Sequence, residues 1–205
     1  RDDRTYALGV WDRLANKVTR IRFPGNTVIG PCFLPDNRVA VSLSTGRYPD
    51  IFLLDRQFKR ERPLEQSSAI NVSPSFDATG TKMAFTSNRL GGPQVFLKDL
   101  NTGTVTRVSK EGSYNSEPCI SPDGTLIAYT KGTPQGFRIF VYDMVTGFDQ
   151  QVSYGPGSDE QPAFGLGAEP QLGLGEPGEH VQLGIGKVGD LDDVGHGDAP
   201  FLNLS

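Results

Sequence analysis

Three carboxylates lie next to prolines that recur at regular intervals in this sequence, and they are the side chains best suited to bind a cation. Glu117 directly precedes Pro118, and Asp159 and Glu160 lie just before Pro162. A calcium ion needs several such oxygens converging on one point. The sequence does not show that these three carboxylates converge, so it predicts no metal site.

Histidine-dependent catalysis is excluded from residues 1–164, because both histidines, His180 and His196, follow them. A Ser-His-Asp or Cys-His arrangement therefore cannot form within this segment. No G-x-S-x-G nucleophile motif occurs in the chain. The run from Asp192 to Asp198 looks like a set of metal ligands, but its glycines offer no packed surroundings to hold them. We therefore expect a protein that is not an enzyme, with no catalytic residue and no cofactor.

The charge of the chain is divided between two parts. Residues 1–164 contain 19 basic and 17 acidic side chains, whereas residues 165–205 contain one lysine, seven acidic residues and ten glycines. The basic residues form no cluster of the kind that binds nucleic acid. No apolar run approaches the roughly 18 residues of a membrane-spanning helix. We expect neither a nucleic-acid partner nor direct insertion into a membrane.

A repeat of 43–44 residues organises the first part of the chain and predicts its fold. Each unit has an opening proline, a turn, two apolar strands and an aspartate that ends the later strand. The prolines are Pro31, Pro74, Pro118 and Pro162, and the aspartates are Asp12, Asp55, Asp99 and Asp143. Four short antiparallel strands in about 44 residues is the size of one β-propeller blade. The later strands are apolar on both faces, as a blade between two neighbours requires.

We therefore predict an all-β fold, a partial β-propeller with about three complete four-stranded antiparallel blades. The propeller domain spans 1–164, with blades at roughly 29–67, 72–109 and 116–153, the end of an earlier blade in 1–23, and the start of another at Pro162. The Gly-rich acidic tail, 165–205, is expected to be irregular, either disordered or read out of frame. The chain starts on Arg1, so we expect a mature form or a fragment.

Two sets of repeated polar residues have structural interpretations. The strand-ending aspartates look like a carboxylate array, but each begins a turn in which its side chain can bond nearby backbone. Cys32 and Cys119 take the same position two units apart. We expect them to be too far apart for the ~4.4–6.8 Å Cα separation of a disulfide, and to be buried free thiols.

Three segments carry a resemblance to a known family. Asn71–Pro74, Met83–Phe96 and Glu111–Pro118 resemble the β-propeller of the TolB family, the periplasmic component of the Tol-Pal system of Gram-negative bacteria. The resemblance covers about 1–164. It implies a periplasmic location, binding to the peptidoglycan-associated lipoprotein Pal and other Tol-Pal components, and a role in outer-membrane integrity and cell division. Complete members of this family have an N-terminal α/β domain and six blades.

In the TolB family the mouth of the propeller channel receives Pal, which suggests where this chain would bind its partner. The loops that lead into the innermost strands are the candidates, since loops on a rigid scaffold carry function. Their residues are Tyr114, Asn115, Ser116, Glu117, Ser158, Asp159 and Glu160. In the alternative interpretation, Asn115 and Asp159 cap tight loops and Glu117 is merely solvated.

Other functions remain open because the repeat is not specific to one family. Prolyl-oligopeptidase-like serine peptidases share it, so this chain is alternatively the propeller of such a peptidase without its catalytic domain. A generic propeller with an unrelated ligand is a third possibility.

Overall fold

The predicted fold class is confirmed by a computed structural model of the chain. It describes residues 7–12, 14–23, 28–44 and 47–164, and in these ranges it contains fourteen β-strands and no α-helix. It accordingly has no helix long and apolar enough to cross a membrane in these ranges. The predicted tail, 165–205, lies outside the described residues.

Twelve of the strands form three four-stranded antiparallel sheets, each a simple meander. The first blade contains β3 (Val28–Phe33), β4 (Val39–Ser44), β5 (Pro49–Leu54) and β6 (Arg60–Glu65). The second contains β7 (Asn71–Phe76), β8 (Lys82–Leu90), β9 (Gly92–Asp99) and β10 (Val105–Arg107), and the third contains β11 (Asn115–Ile120), β12 (Leu126–Thr133), β13 (Gly136–Asp143) and β14 (Asp149–Gln151). Before them, β1 (Ala7–Asp12) pairs with β2 (Lys17–Arg22), as expected for the end of an earlier blade.

Each opening proline marks a β-bulge in the innermost strand of its blade. The pairing with the second strand shifts register between Ile29 and Cys32, and at the equivalent places in β7 and β11. The residue before the proline has a left-handed backbone, with φ of 54° at Gly30, 54° at Ser73 and 52° at Glu117. This conformation costs a non-glycine residue on the order of 1–2 kcal/mol, so the surrounding structure must hold it.

The blades are held together by apolar packing and by bonds to these innermost strands. Phe85 and Phe96 of the second blade pack with Leu53 of the first in one continuous core, and burial on both faces of β5 is as predicted. The N–H of Glu117 donates to Thr86 Oγ1 of the preceding blade at 3.1 Å. The second blade thus binds the innermost strand of the third.

The strand-ending aspartates cap turns, as their position predicted. Asp99 Oδ1 accepts the N–H groups of Asn101 at 2.8 Å and Thr102 at 3.0 Å, and these bonds, that of Thr102 above all, lower the pKa of the Asp99 carboxyl. Asp143 is held in the same way by Val145 and Thr146. The carboxylates of Asp99 and Asp143 accept hydrogen bonds from their own turns and do not form a shared binding site.

The further blade predicted to begin at Pro162 is described only as far as residue 164, and these residues form an extended segment. The N–H of Asp159 donates to the carbonyl of Phe137 at 3.0 Å, and the N–H of Gln161 donates to Thr130 Oγ1 at 3.2 Å. Gln161 has the left-handed φ of 57° seen before the other opening prolines. Residues 159–164 therefore take the place of an innermost strand beside the third blade, without strand pairing.

Both cysteines are free thiols as predicted but half-buried rather than buried, and we expect Cys32 to react slowly with alkylating reagents. Burial, and secondarily the Cys119 sulfur, raises the pKa of Cys32 to about 11. Because the thiolate is the nucleophile, alkylation by iodoacetamide at pH 8 should be roughly a hundredfold slower than for an exposed cysteine. The rate should rise with pH to about 11. A rate at pH 8 equal to that of a free cysteine peptide would contradict this prediction.

Candidate functional site

The loops that lead into the innermost strands lie together at one end of the blades. These lead-in loops are 66–70, 110–114 and 154–158, and they share this end with the hairpins that join the second strand of each blade to the third. We call this end the lead-in face. In a meander alternate connections lie at opposite ends, so the aspartate-capped turns are at the other end.

Tyr114 presents the largest exposed aromatic surface of the second lead-in loop. Its side chain is 40% exposed, and its ring packs against that of Phe137 with centroids 5.2 Å apart. Its carbonyl accepts the N–H of Gly132 at 2.9 Å, which fixes the loop to the third blade. A rigid aromatic side chain with one free side is well suited to anchor a protein partner.

Asn115 and Ser116 are buried, so the structure supports the alternative interpretation for Asn115. Asn115 Nδ2 donates to Gln94 Oε1 and to the carbonyl of Glu111, both at 2.9 Å. It therefore fastens its own lead-in loop to the third strand of the preceding blade. Neither residue offers a surface that a partner can contact directly.

Glu117 lies at the bulge of the innermost strand and is half-buried rather than merely solvated. Its Oε2 accepts the hydroxyl of Thr130 at 3.2 Å, and its Oε1 lies 3.5 Å from Gln161 Nε2. These bonds connect the carboxylate to the second strand of its own blade and to the next innermost segment. Its position is therefore set by the blades themselves.

The third lead-in loop is held by one buried arginine. Arg138 donates to the carbonyls of Gly155 at 2.6 Å and Gly157 at 2.5 Å, and its guanidinium lies 3.9 Å from the Asp159 carboxylate. Ser158 Oγ accepts the N–H of Phe137 at 3.2 Å. Ser158 and Glu160 are exposed, and Asp159 is half-buried, so this loop still offers polar groups at the surface.

The three carboxylates considered as cation ligands are Glu117, Asp159 and Glu160, and the structure does not group them. Within the described residues there is no cluster of three or more His, Cys, Asp or Glu side chains that could hold a metal ion. Asp159 is paired with Arg138 and Glu117 with two neutral donors.

Sequence reasoning missed the residues that hold the lead-in loops in place. Asp50, Gln94 and Arg138 occupy one position of the third strand, at intervals of 44 residues. In the first two blades this residue accepts a bond from Asn71 or Asn115 of the next blade. The signal was present in the repeat, since the polar residue at the start of an otherwise apolar strand recurs in every unit.

Three four-stranded antiparallel blades that share the lead-in face define a partial β-propeller. A family model described as the TolB beta propeller domain matches residues 13–168, well over half of the chain. The chain therefore belongs to the TolB β-propeller family.

A curated relative is similar to part of this chain in sequence, and a solved structure is similar to it in fold. Over 91 residues the chain is 78% identical to the Tol-Pal system protein TolB of Nitratidesulfovibrio vulgaris strain Hildenborough, which is 44% of this chain and 21% of the relative. The chain thus spans about a fifth of the length of that relative. The crystal structure of TolB from Acinetobacter baumannii matches with a TM-score of 0.65 at 23% identity, covering 77% of this chain and 40% of that one.

A peptidase also shares the fold. Dipeptidyl peptidase 4 from Porphyromonas gingivalis matches with a TM-score of 0.55 at 13% identity, covering 72% of this chain and 22% of that one. At this identity the likeness shows the fold alone, as expected for a repeat that several classes of protein use.

Proposed function

We propose that this chain is part of a TolB protein whose lead-in face binds the lipoprotein Pal in the periplasm, as a scaffold without catalytic activity. The observation that carries the proposal is the 78% identity to a Tol-Pal system protein. Through this complex and other Tol-Pal components, the protein would support outer-membrane integrity and cell division.

We limit the proposed contact surface to the five candidate residues that are exposed or half-buried. Tyr114 supplies an aromatic anchor, and Glu117, Ser158, Asp159 and Glu160 supply polar and acidic groups around it. Asn115 and Ser116 support this surface from below. A partner with basic and hydrogen-bond donating groups would complement such a surface, and this charge match would favour specificity and rapid association.

The peptidase alternative receives less support. The solved peptidase shares only its fold with this chain, at 13% sequence identity, whereas the TolB relative is 78% identical in sequence over 91 residues. Residues 1–164 contain no histidine, so no histidine-based triad can be assembled from them. We therefore place the chain in the interaction-scaffold class.

Replacing Tyr114 by alanine or Glu117 by glutamine is expected to weaken Pal binding roughly tenfold each. Exposed aromatic anchors are frequent hot spots of interfaces. The Glu117→Gln variant keeps the size of the side chain and removes only its charge. The measurement is calorimetric titration of each variant with the soluble domain of Pal.

Val145→Ala is the matched reference variant, because Val145 is 80% exposed in the capped turn at the opposite end of the third blade. It should bind Pal as the unchanged chain does. Unchanged affinity in both Tyr114→Ala and Glu117→Gln would remove this loop from the interface. A folded chain that gives no heat with Pal would contradict the proposed function itself.

A further inference from the structure

A cavity opens on the lead-in face between the first and second blades. Its volume is about 310 Å³, at the lower end of the range for ligand pockets. The residues that line it are polar or small, apart from the ring of one tyrosine: Tyr48, Ser67, Ser68, Ala69, Asn88 and Arg89. None of them is among the residues that the sequence suggested as a site.

The cavity lies where the repeat is broken at one position. Tyr48 is replaced by Gly92 and Gly136 at the same place in the second and third blades. A Cβ added to Gly92 would lie 2.5 Å from the carbonyl oxygen of Ser113, and one added to Gly136 would lie 2.8 Å from Ser158 Oγ. The lead-in loop closes directly onto the glycine in these two blades. In the first blade, Tyr48 and the residues of the corresponding lead-in loop, Ser67, Ser68 and Ala69, line the cavity instead.

Arg89 is fixed at the wall of this cavity by bonds from two of its three guanidinium nitrogens. Nη2 donates to Glu65 Oε1 at 2.6 Å and to Asn71 Oδ1 at 3.0 Å, and Nε donates to Ser87 Oγ at 3.0 Å. The side chain is 24% exposed, and among the described residues Nη1 makes no hydrogen bond. A guanidinium with one free edge and a fixed orientation is a preorganised donor for a carboxylate.

Three basic and two acidic side chains lie on the segments around the cavity, a net charge of +1. The Glu65 carboxylate is shared between Arg89 and Lys98, which lies 2.7 Å from it. Arg47 adds a third cation from the hairpin of the first blade, with its guanidinium 5.1 Å from the centroid of the adjacent tyrosine ring. Asp50 is the second acidic group: its buried carboxylate accepts the Asn71 side chain and the N–H of Ser67, both at 3.1 Å.

We propose that this cavity binds the carboxylate of an aspartate or glutamate side chain on the protein that docks on the lead-in face. The inference rests on the proposed function, because it concerns the same partner. Arg89 Nη1 donates to the carboxylate, and Ser68 and Asn88 line the cavity with further polar groups. An acidic side chain of the partner would bind in this cavity, while basic groups of the partner would bind near the carboxylates of Glu117 and Glu160. These two contacts of opposite charge would fix the orientation of the partner.

The first test places a competing carboxylate at the rim of the cavity. Ser68→Glu adds a charge on an exposed loop residue, and Ser68→Gln adds a side chain of the same size without the charge. Neither change touches the Glu65 group. In calorimetric titration with the soluble domain of Pal, Ser68→Glu should bind at least roughly tenfold more weakly than Ser68→Gln. Equal affinities of the two variants would overturn the proposal.

A second test is independent of Pal and separates the two proposals. N-acetyl-aspartate N-methylamide is titrated into the chain, and the Arg89 side-chain nitrogen signals are followed by NMR. A saturable shift with a millimolar Kd is expected in the unchanged chain and not in Ser68→Glu. The matching asparagine amide should give no shift. If the aspartate probe binds but Pal does not, the proposed function is contradicted and the proposal that the cavity binds a carboxylate is retained. No shift with the aspartate probe would overturn the cavity proposal.

Discussion

Replacing Glu65 by alanine is expected to lower the free energy of unfolding by about 3 kcal/mol. Glu65 is 6% exposed and lies 2.6 Å from Arg89 and 2.7 Å from Lys98, both of the next blade. Removing it leaves two cations in a partly buried contact without their counter-charge, and breaking a buried pair costs ~3–5 kcal/mol. The lower figure applies because both cations keep some exposure to water. Urea unfolding followed by far-UV circular dichroism measures the change.

Glu61→Ala is the matched control, because Glu61 is on the same strand, β6. It pairs with Arg38 at 3.3 Å, but the two side chains are 38% and 30% exposed. Exposed pairs contribute ~0–1 kcal/mol, so this variant should be nearly as stable as the unchanged chain. Equal losses in both variants would show that the contact between the first and second blades does not depend on Glu65.

The repeat was sufficient to predict the blades because one period fixes both the strands and the turns. The proline spacing located the innermost strands, and the structure adds that each proline follows a left-handed residue such as Ser73. The capped turn at Asp99 followed from the residue type alone. These features depend on local chemistry, which is why the sequence reveals them.

The candidate site was harder to predict, because burial in a loop depends on the neighbouring blade. Asn115 was a candidate for surface contact, yet it is buried against Gln94, 21 positions earlier in the chain. The cavity at Tyr48 was not predicted for the same reason. The sequence shows tyrosine in one blade and glycine in the others, but only the distance from Gly92 to the Ser113 carbonyl shows what that difference does.

The second large effect is expected at Gly92, where alanine should destabilise the chain by about 2 kcal/mol. The added methyl group would lie 2.5 Å from the carbonyl oxygen of Ser113, a backbone atom that cannot rotate away as a side chain can. Forcing extra volume into a packed contact typically costs ~1–3 kcal/mol. The same displacement would move the lead-in loop that carries Tyr114. We therefore expect Gly92→Ala to weaken Pal binding as well as stability, measured by urea unfolding and by calorimetric titration.

Gly9→Ala distinguishes this contact from a general effect of replacing glycine in a strand. A Cβ at Gly9 would meet nothing within 4 Å, and the residue lies in the paired region of β1. Because glycine weakens strands entropically, this variant should be at least as stable as the unchanged chain. If Gly92→Ala matched it, the lead-in loop would be able to stand away from β9 without cost. Glycine at this place would then not be what brings the loop close to β9, and the exchange to Tyr48 would not account for the cavity between the first and second blades.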